Sequence, residues 1–404
     1  MTNRKSAMTR RTVLAGIVGA AGTAILTACG SDAGATQTAP AATVMPVTTA
    51  TTGITAASGT AVMIAATPAP VASAVPVTTA VTAAASAAGT AIGAGTAAPQ
   101  AVGSATAGAD TFREATAVGT PVGVQAPDFR GKFSLKTLNI AFIPGGGDSD
   151  MIFDRYKELL AYIRQSLGVE IKGTVGSSYT AVIEAMRAKK VELAYYGPFS
   201  YILAHQVANA QVLILPADAN GKLTTYTSAI ITQPDSAIKT LADIKGKTFS
   251  FVDPASTSGH LVPAYTLQQK AGLKESDYKA KYAGSHPASY QTVVNNKVDA
   301  GAVASTTLMS GIMTGAVDQT KYRVVDVSFD IPSSPIGYRG DIAKSDADVL
   351  QKLYLSLNDL PRDSVLAKSI FTGDTVKYTV GDDSVYDDLR KIPSALGIDI
   401  KTLS

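Results

Sequence analysis

Cysteine occurs once in 404 residues, at Cys29, tryptophan not at all, and histidine three times. One cysteine excludes an intrachain disulfide, so a chain working outside the cytoplasm must be held by packing alone. One cysteine and three histidines also leave little for a zinc-type centre, and neither a metal nor a cofactor is expected. No charged residue lies between Ala33 and Ala109, and no aromatic residue precedes Phe112. That stretch lacks the large side chains a core needs and is broken repeatedly by proline and glycine. An excess of either charge is lacking too. The formal net charge is +3, but residues 1–28 hold four basic groups and no acidic one, which leaves −1 beyond them. No basic cluster follows, so nucleic acid is not an expected partner.

The N-terminus sets the compartment. Arg4, Lys5, Arg10 and Arg11 precede an uncharged run of small and apolar residues from Thr12 to Thr27. The run is too short and too rich in glycine and alanine to suit a membrane span, and reads as the core of an export signal over residues 1–28. Leu26-Thr27-Ala28-Cys29 resembles a bacterial lipobox, which implies that Cys29 is lipidated and becomes the new N-terminus. Thr9-Arg10-Arg11-Thr12-Val13-Leu14 also resembles a twin-arginine signal, with Val13 where phenylalanine is usual. Residues 29–128 are expected to form a disordered Ala/Thr/Pro/Gly-rich tether. A flexible chain of that length reaches about 50–60 Å on average, enough to span a cell-wall layer.

The folded part is expected from Phe129 onward, long enough for two α/β lobes. Leu138–Ile143 is a β-rich run. Ile152, Tyr156, Leu159, Leu160, Ile163 and Leu167 follow at helical spacing, stopped by Gly168. Further strands are predicted over 169–174, 192–196, 212–216, 225–232, 322–328 and 336–339, and helices from Ser178, from Pro198, over 346–357 and over 383–396. Alternation of the two types implies a mostly parallel, covered sheet. Two crossings, near residues 228 and 330, suggest lobe one from residues 129–228 plus 331–404 and lobe two from 229–330, hinged as a clam-shell.

One stretch stands out chemically. Thr248–Val252 reads as a buried strand, Asp253-Pro254 as a tight turn, and Ser256-Thr257-Ser258-Gly259 as the hydroxyl-rich start of a helix. A helix start offers unpartnered N–H groups and a positive dipole end, which suits an anion. Gly259 would let the anion approach the backbone.

Leu241-Ala242-Asp243-Ile244-Lys245-Gly246-Lys247-Thr248-Phe249-Ser250-Phe251 resembles the run that opens lobe two of type II periplasmic binding proteins. Asp253-Pro254-Ala255-Ser256-Thr257-Ser258-Gly259, Pro263, Gly284-Ser285-His286 and Val298-Asp299-Ala300-Gly301-Ala302 are more specific. With Asp330-Ile331-Pro332, Pro335 and Tyr386-Asp387-Asp388-Leu389-Arg390, they resemble the phosphate/phosphite/phosphonate-binding subunits of ABC importers. The resemblance runs from about Leu138 to Ile400. It implies a two-lobed α/β clam-shell, monomeric and tethered at the extracytoplasmic face of the cell membrane. It also implies a small phosphorus oxyanion held between the lobes and an ABC permease as partner. Ser256, Thr257, Ser258 and His286 would donate to the oxyanion, and Tyr179, Tyr196 and Tyr226 would close the site. Aminophosphonate binders are expected to carry carboxylates for the ammonium, whereas Ala304-Ser305-Thr306-Thr307 and Pro332-Ser333-Ser334-Pro335 have none. Phosphite, methylphosphonate or phosphate fits better, with Ser305, Thr306 and Ser334 as further candidates for the pocket wall.

Two other classes compete with this reading. A hydrolase would need an activated nucleophile, but there is no Gly-x-Ser-x-Gly elbow, and Gly145-Gly146-Gly147 is not followed by the Lys-Ser/Thr of a nucleotide-binding loop. No enzymatic activity is expected. The other class is a lipoprotein sensor or adhesin that uses the same fold without transport. His205 and His260 read as structural or ambiguous, and Asp299 as a turn residue.

Overall fold

The computed structural model describes residues 112–116 and 123–400. The export signal, Cys29 and most of the expected tether lie outside the described residues. Two parts of that tether are ordered. Phe112–Thr116 forms strand β1, antiparallel to the strand Glu170–Gly176, and Val124 and Ala126 pack against the core of the first lobe. The structured chain thus begins before the expected boundary at residue 128. Arg113 ties β1 to Asp150 at 2.8 Å. Five residues with a mixed polar sequence carry too weak a pattern to be read as a strand, and their pairing comes from the free edge of the neighbouring strand.

The first lobe is built from β2 (Thr137–Phe142), α1 (Ser149–Leu167), β3 (Glu170–Gly176), α2 (Tyr179–Arg187), β4 (Leu193–Tyr195), α3 (Pro198–Ala208) and β5 (Ala210–Ala217). The chain then runs through β6 (Thr225–Tyr226) into the second lobe. That lobe holds β7 (Ser228–Thr232), β8 (Thr248–Phe251), α4 (Val262–Ala271), β9 (Lys279–Tyr282), α5 (His286–Val294), β10 (Ala300–Ala304), α6 (Ser305–Thr314) and β11 (Arg323–Val327). It returns through β12 (Ile331–Pro332) to β13 (Ile336–Arg339), α7 (Lys344–Ser356), α8 (Val365–Ile370), β14 (Lys377–Thr379), α9 (Asp387–Arg390) and α10 (Ile392–Leu396).

The first sheet has the order β1-β3-β2-β4-β13-β5-β14 and the second the order β11-β7-β10-β8-β9. β2 is parallel to β3 and β4, and β8 is parallel to β9 and β10, as expected where helices connect successive strands. β7 runs antiparallel to β10 and β11, and β13 antiparallel to β4 and β5. Apolar side chains on both faces of these sheets are buried, which accounts for continuous runs such as Leu138–Phe142 and Ser228–Thr232.

Both crossings between the lobes pass through one ribbon, in which Tyr226 faces Ile331 and Thr225 faces Pro332. The single long strand expected over 225–232 is therefore two. Thr227 leaves the ladders and exchanges both backbone bonds with Ser305: its N–H donates to Ser305 Oγ at 3.0 Å, and its carbonyl accepts the Ser305 N–H at 2.9 Å. The lobes also meet at the chain's end, where α10 packs on α4 and the Gln268 side-chain amide donates to the Ala395 carbonyl. One apolar cluster crosses between them. Val252, Ala255, Leu261 and Val262 of lobe two pack with Tyr179, Tyr196, Phe199 and Ile202 of lobe one.

Candidate functional site

The loop after β8 is shaped by its own polar groups. Asp253 Oδ1 accepts the Ala255 N–H at 2.8 Å, and the Asp253 carbonyl accepts the Ser256 N–H, closing the Asp-Pro turn. Ser256 then caps a π-helical turn, Thr257–Leu261, its Oγ accepting the Gly259 N–H at 3.1 Å. Turns of this wide type leave a helix start poorly closed and recur at functional sites. The regular helix α4 begins only at Val262, three residues later than expected. Gly259 is required for a different reason from the one expected. A Cβ there would lie 2.4 Å from Val252 Cβ and 2.7 Å from Ser256 Oγ. The glycine serves the packing of the turn onto β8 rather than the approach of an anion.

Around this turn the structure gathers hydroxyl groups from both lobes. The Tyr226 hydroxyl of the ribbon lies beside Ser258, Thr257 and Ser334, which favour its ionisation; burial nevertheless pushes its phenol up to about 12. Tyr179, the first residue of α2, is fully buried with its hydroxyl beside Ser256, and burial holds its phenol far above the ordinary tyrosine range. Both phenols stay protonated at neutral pH and can donate. Gly145 makes room for Tyr179: a Cβ at that position would lie 2.2 Å from the Tyr179 hydroxyl. The glycine run after β2 thus has a role that sequence reasoning missed.

His286 opens α5 behind the hydroxyl cluster. Its Nδ1 accepts the backbone N–H of Ala304 at 3.1 Å, which places the ring proton on Nε2. Nε2 faces Ser258 Oγ at 3.4 Å. Burial depresses the imidazole to about 4, so at neutral pH His286 is an uncharged donor whose orientation is set by backbone.

Ser256, Thr257, Ser258, His286, Tyr179, Tyr196 and Tyr226 all line one interlobe cavity of about 680 Å³. Five of the seven bring hydroxyls to the cluster, and His286 stands behind it. Tyr196 is set apart: its ring packs edge-on to Tyr201 and against Gly337, and its buried hydroxyl has no hydrogen-bond partner among the described residues. Thr306 and Ser334 line the cavity, whereas Ser305 does not and instead serves the crossing at Thr227. His260 is turned away, with Nδ1 donating to the Pro254 carbonyl and Nε2 accepting from Tyr282. His205 bonds the Ala210 carbonyl. Among the described residues, the cavity wall includes no aspartate or glutamate, and its one charged residue is Arg155. Neutral donors converging from two lobes, with no carboxylate to repel a negative charge, suit a small polyvalent anion.

Residues 140–386 match the family described as ABC transporter, phosphonate, periplasmic substrate-binding protein. The chain belongs to this family. It is therefore a substrate-binding component of an ABC importer, working outside the cytoplasm, and not an enzyme. It is 29% identical over 240 residues to the phosphonates-binding periplasmic protein of Escherichia coli, covering 58% of this chain and 70% of that one. It is 32% identical over 176 residues to a phosphate-import protein of Mycolicibacterium smegmatis, covering 41% of this chain and 54% of the other. Among solved structures, the binding component of a phosphonate ABC transporter from Pseudomonas aeruginosa superposes with a TM-score of 0.60 at 22% identity, over 65% of this chain and 87% of that one. A Prochlorococcus marinus binding protein, solved in complex with methylphosphonate, gives 0.57 at 20% identity, over 65% and 98%. These superpositions establish the two-lobed type II binding-protein fold.

Proposed function

We propose that the chain captures a small phosphorus oxyanion, namely phosphite, methylphosphonate or phosphate, between its lobes and hands it to a membrane permease. The observation that carries this reading is the His286 donor, oriented by the Ala304 N–H and aimed at the Ser256–Ser258 turn in a cavity wall free of carboxylates. The ligand is held by the hydroxyls of Ser256, Thr257 and Ser258, by the N–H groups of Thr257 and Ser258, the Ser256 N–H being spent on the Asp253 carbonyl, by His286 Nε2–H and by Tyr179 and Tyr226, with Tyr196 forming part of the wall. Charge-assisted hydrogen bonds contribute about 1.5–3 kcal/mol each, so a handful, offset by desolvation and closure, supports micromolar or tighter binding. Closure follows from a higher affinity of the closed form, since a ligand shifts the two forms only by that difference. The protein acts as a monomer, anchored by lipid at Cys29.

Isothermal titration with phosphite, methylphosphonate, phosphate, 2-aminoethylphosphonate and sulfate tests the reading. Tight binding of one of the first three, with the amine weak, is expected. Tight binding of the amine would keep the fold and overturn the argument from missing carboxylates. Binding of none of the phosphorus anions would overturn the proposed ligand class. For the anchor, Cys29→Ala is expected to release the protein from the membrane fraction.

A further inference from the structure

The cavity is larger than the ligands just named. An oxyanion of five heavy atoms takes up about 150 Å³ even if each atom is given the volume of a water, about 30 Å³. The cavity of about 680 Å³ extends beyond the hydroxyl cluster along both lobes. On lobe one its wall is made by Met151, Ile152, Arg155 and Tyr156, one face of α1, where residues four apart lie in line. On lobe two it is made by Thr307, Ser310 and Thr314, one face of α6.

Arg155 is held but not neutralised. Its Nε donates to the Ser369 carbonyl at 3.1 Å, and its guanidinium sits 5.5 Å from the centre of the Tyr156 ring. It forms no ion pair among the described residues, unlike Arg187, Arg339 and Arg390, which all have carboxylate partners. Arg155 is exposed at the cavity rim, its outer nitrogens make no hydrogen bond among the described residues, and the guanidinium fork matches a carboxylate. Tyr156 in turn stacks on Phe142 and lies 5.0 Å from the Tyr195 ring, so the cation rests on a packed aromatic floor.

We infer that the site takes phosphonates whose substituent carries a second anionic group, such as a carboxylate, and that Arg155 is the residue that reads it. The inference rests on the phosphorus-oxyanion reading above, with the phosphonate in the hydroxyl cluster and the substituent along α1. An ammonium substituent finds no carboxylate on either wall and meets the Arg155 cation instead. A short alkyl substituent is tolerated but leaves the guanidinium unused.

The test titrates the full chain with methylphosphonate, 3-phosphonopropionate and propylphosphonate, the last matching the second in length without its charge. The carboxylate is expected to tighten binding roughly five- to thirtyfold over propylphosphonate, as one charge-assisted contact does when partly screened by solvent. The advantage should shrink as salt rises. In Arg155→Met the ratio of the two affinities is expected to fall to about one, and Arg155→Lys should restore part of it. Equal affinities in the wild type, or a ratio that survives in Arg155→Met, would overturn the inference while methylphosphonate binding kept the broader reading intact. Failure of all three ligands, and of phosphite and phosphate, would overturn both.

Discussion

Thr257 of lobe two caps a helix of lobe one: its Oγ1 accepts the Phe199 N–H at the start of α3, at 2.7 Å. Asp253 does the same for α2, its Oδ2 accepting the Tyr179 N–H at 3.2 Å. Two helix starts of one lobe are thus completed by the loop of the other that carries the candidate binding groups. On the proposed reading, binding and closure are coupled through the same few residues, because the loop would be both part of the cage and the latch.

Thr257→Val should weaken ligand binding more than it destabilises either lobe. The substitution keeps the shape but leaves the Phe199 N–H without its acceptor in the closed form, a cost of about 1–3 kcal/mol. In the open form that N–H can bond water, so the cost falls on closure and appears as a roughly five- to hundredfold loss of affinity. Titration calorimetry and small-angle scattering with ligand check this, with Thr257→Ser as the control that retains the hydroxyl. Normal affinity and normal closure in Thr257→Val would rule the latch out.

His286 should make stability fall with acid. The buried imidazole is depressed to about 4, against an ordinary value of 6.5. Below 6.5 the unfolded chain takes up a proton that the native state refuses until about pH 4. Stability is therefore complete above pH 6.5 and declines as pH falls toward 4, by up to about 3 kcal/mol at 1.36 kcal/mol per unit. His260 is also depressed, mainly by burial, and adds to the slope. Denaturant melts of wild type and His286→Gln between pH 4 and 7.5 separate the two: the variant should lose about one proton's worth of slope. His286→Ala should also cost strong ligand binding at neutral pH without unfolding the protein, and unchanged affinity would remove it from the site.

Much of this was legible in the sequence, for a reason that differs between the parts. The Ser256-Thr257-Ser258 turn could be read because an Asp-Pro turn, hydroxyls and glycine after a buried apolar strand are local signals. The lobe crossings were legible as the two ends of a self-contained βα set. What depended on distant partners was not. β1 is a strand only because the β3 edge accepts it, Thr227 breaks a strand only because Ser305 bonds to it, and Gly259 is a packing residue only because Val252 lies beneath it. Tyr196 shares its residue type with the other tyrosines of the wall, but its ring belongs to the packing around Tyr201. Arg155 left no signal, since a lone arginine on an amphipathic helix reads as a solvated one.

Ordering of β1 predicts a stability effect outside the site. Removing residues 112–116 would free the N–H and carbonyl groups of β3 along that edge and break the Arg113–Asp150 ion pair. The ion pair is exposed and contributes at most about 1 kcal/mol. The larger effect is an open edge that invites pairing with another chain. A deletion variant should show a modestly lower melting temperature and a concentration-dependent tendency to self-associate in light scattering, with ligand affinity near that of the wild type. A variant as stable and as monomeric as the parent would show that β1 does not protect the edge.

Gly145 offers the sharpest test of how the tyrosine wall is positioned. Alanine there would place a methyl group 2.2 Å from the Tyr179 hydroxyl, well inside contact distance. Tyr179 cannot move its ring freely, because its backbone N–H is tied to Asp253 and its side chain is fully buried. Overpacking of this kind costs about 1–3 kcal/mol. Gly145→Ala should therefore push the hydroxyl out of the cluster and weaken binding about tenfold or more. Tyr179→Phe removes the clashing oxygen together with its polar contact to Ser256, and should weaken binding by a smaller factor. The double variant separates the causes. If the methyl acts through the hydroxyl, Gly145→Ala adds little once Tyr179 is phenylalanine, and the two losses are strongly non-additive. Additive losses would mean that Gly145 acts on the site by another route, through the loop that follows β2.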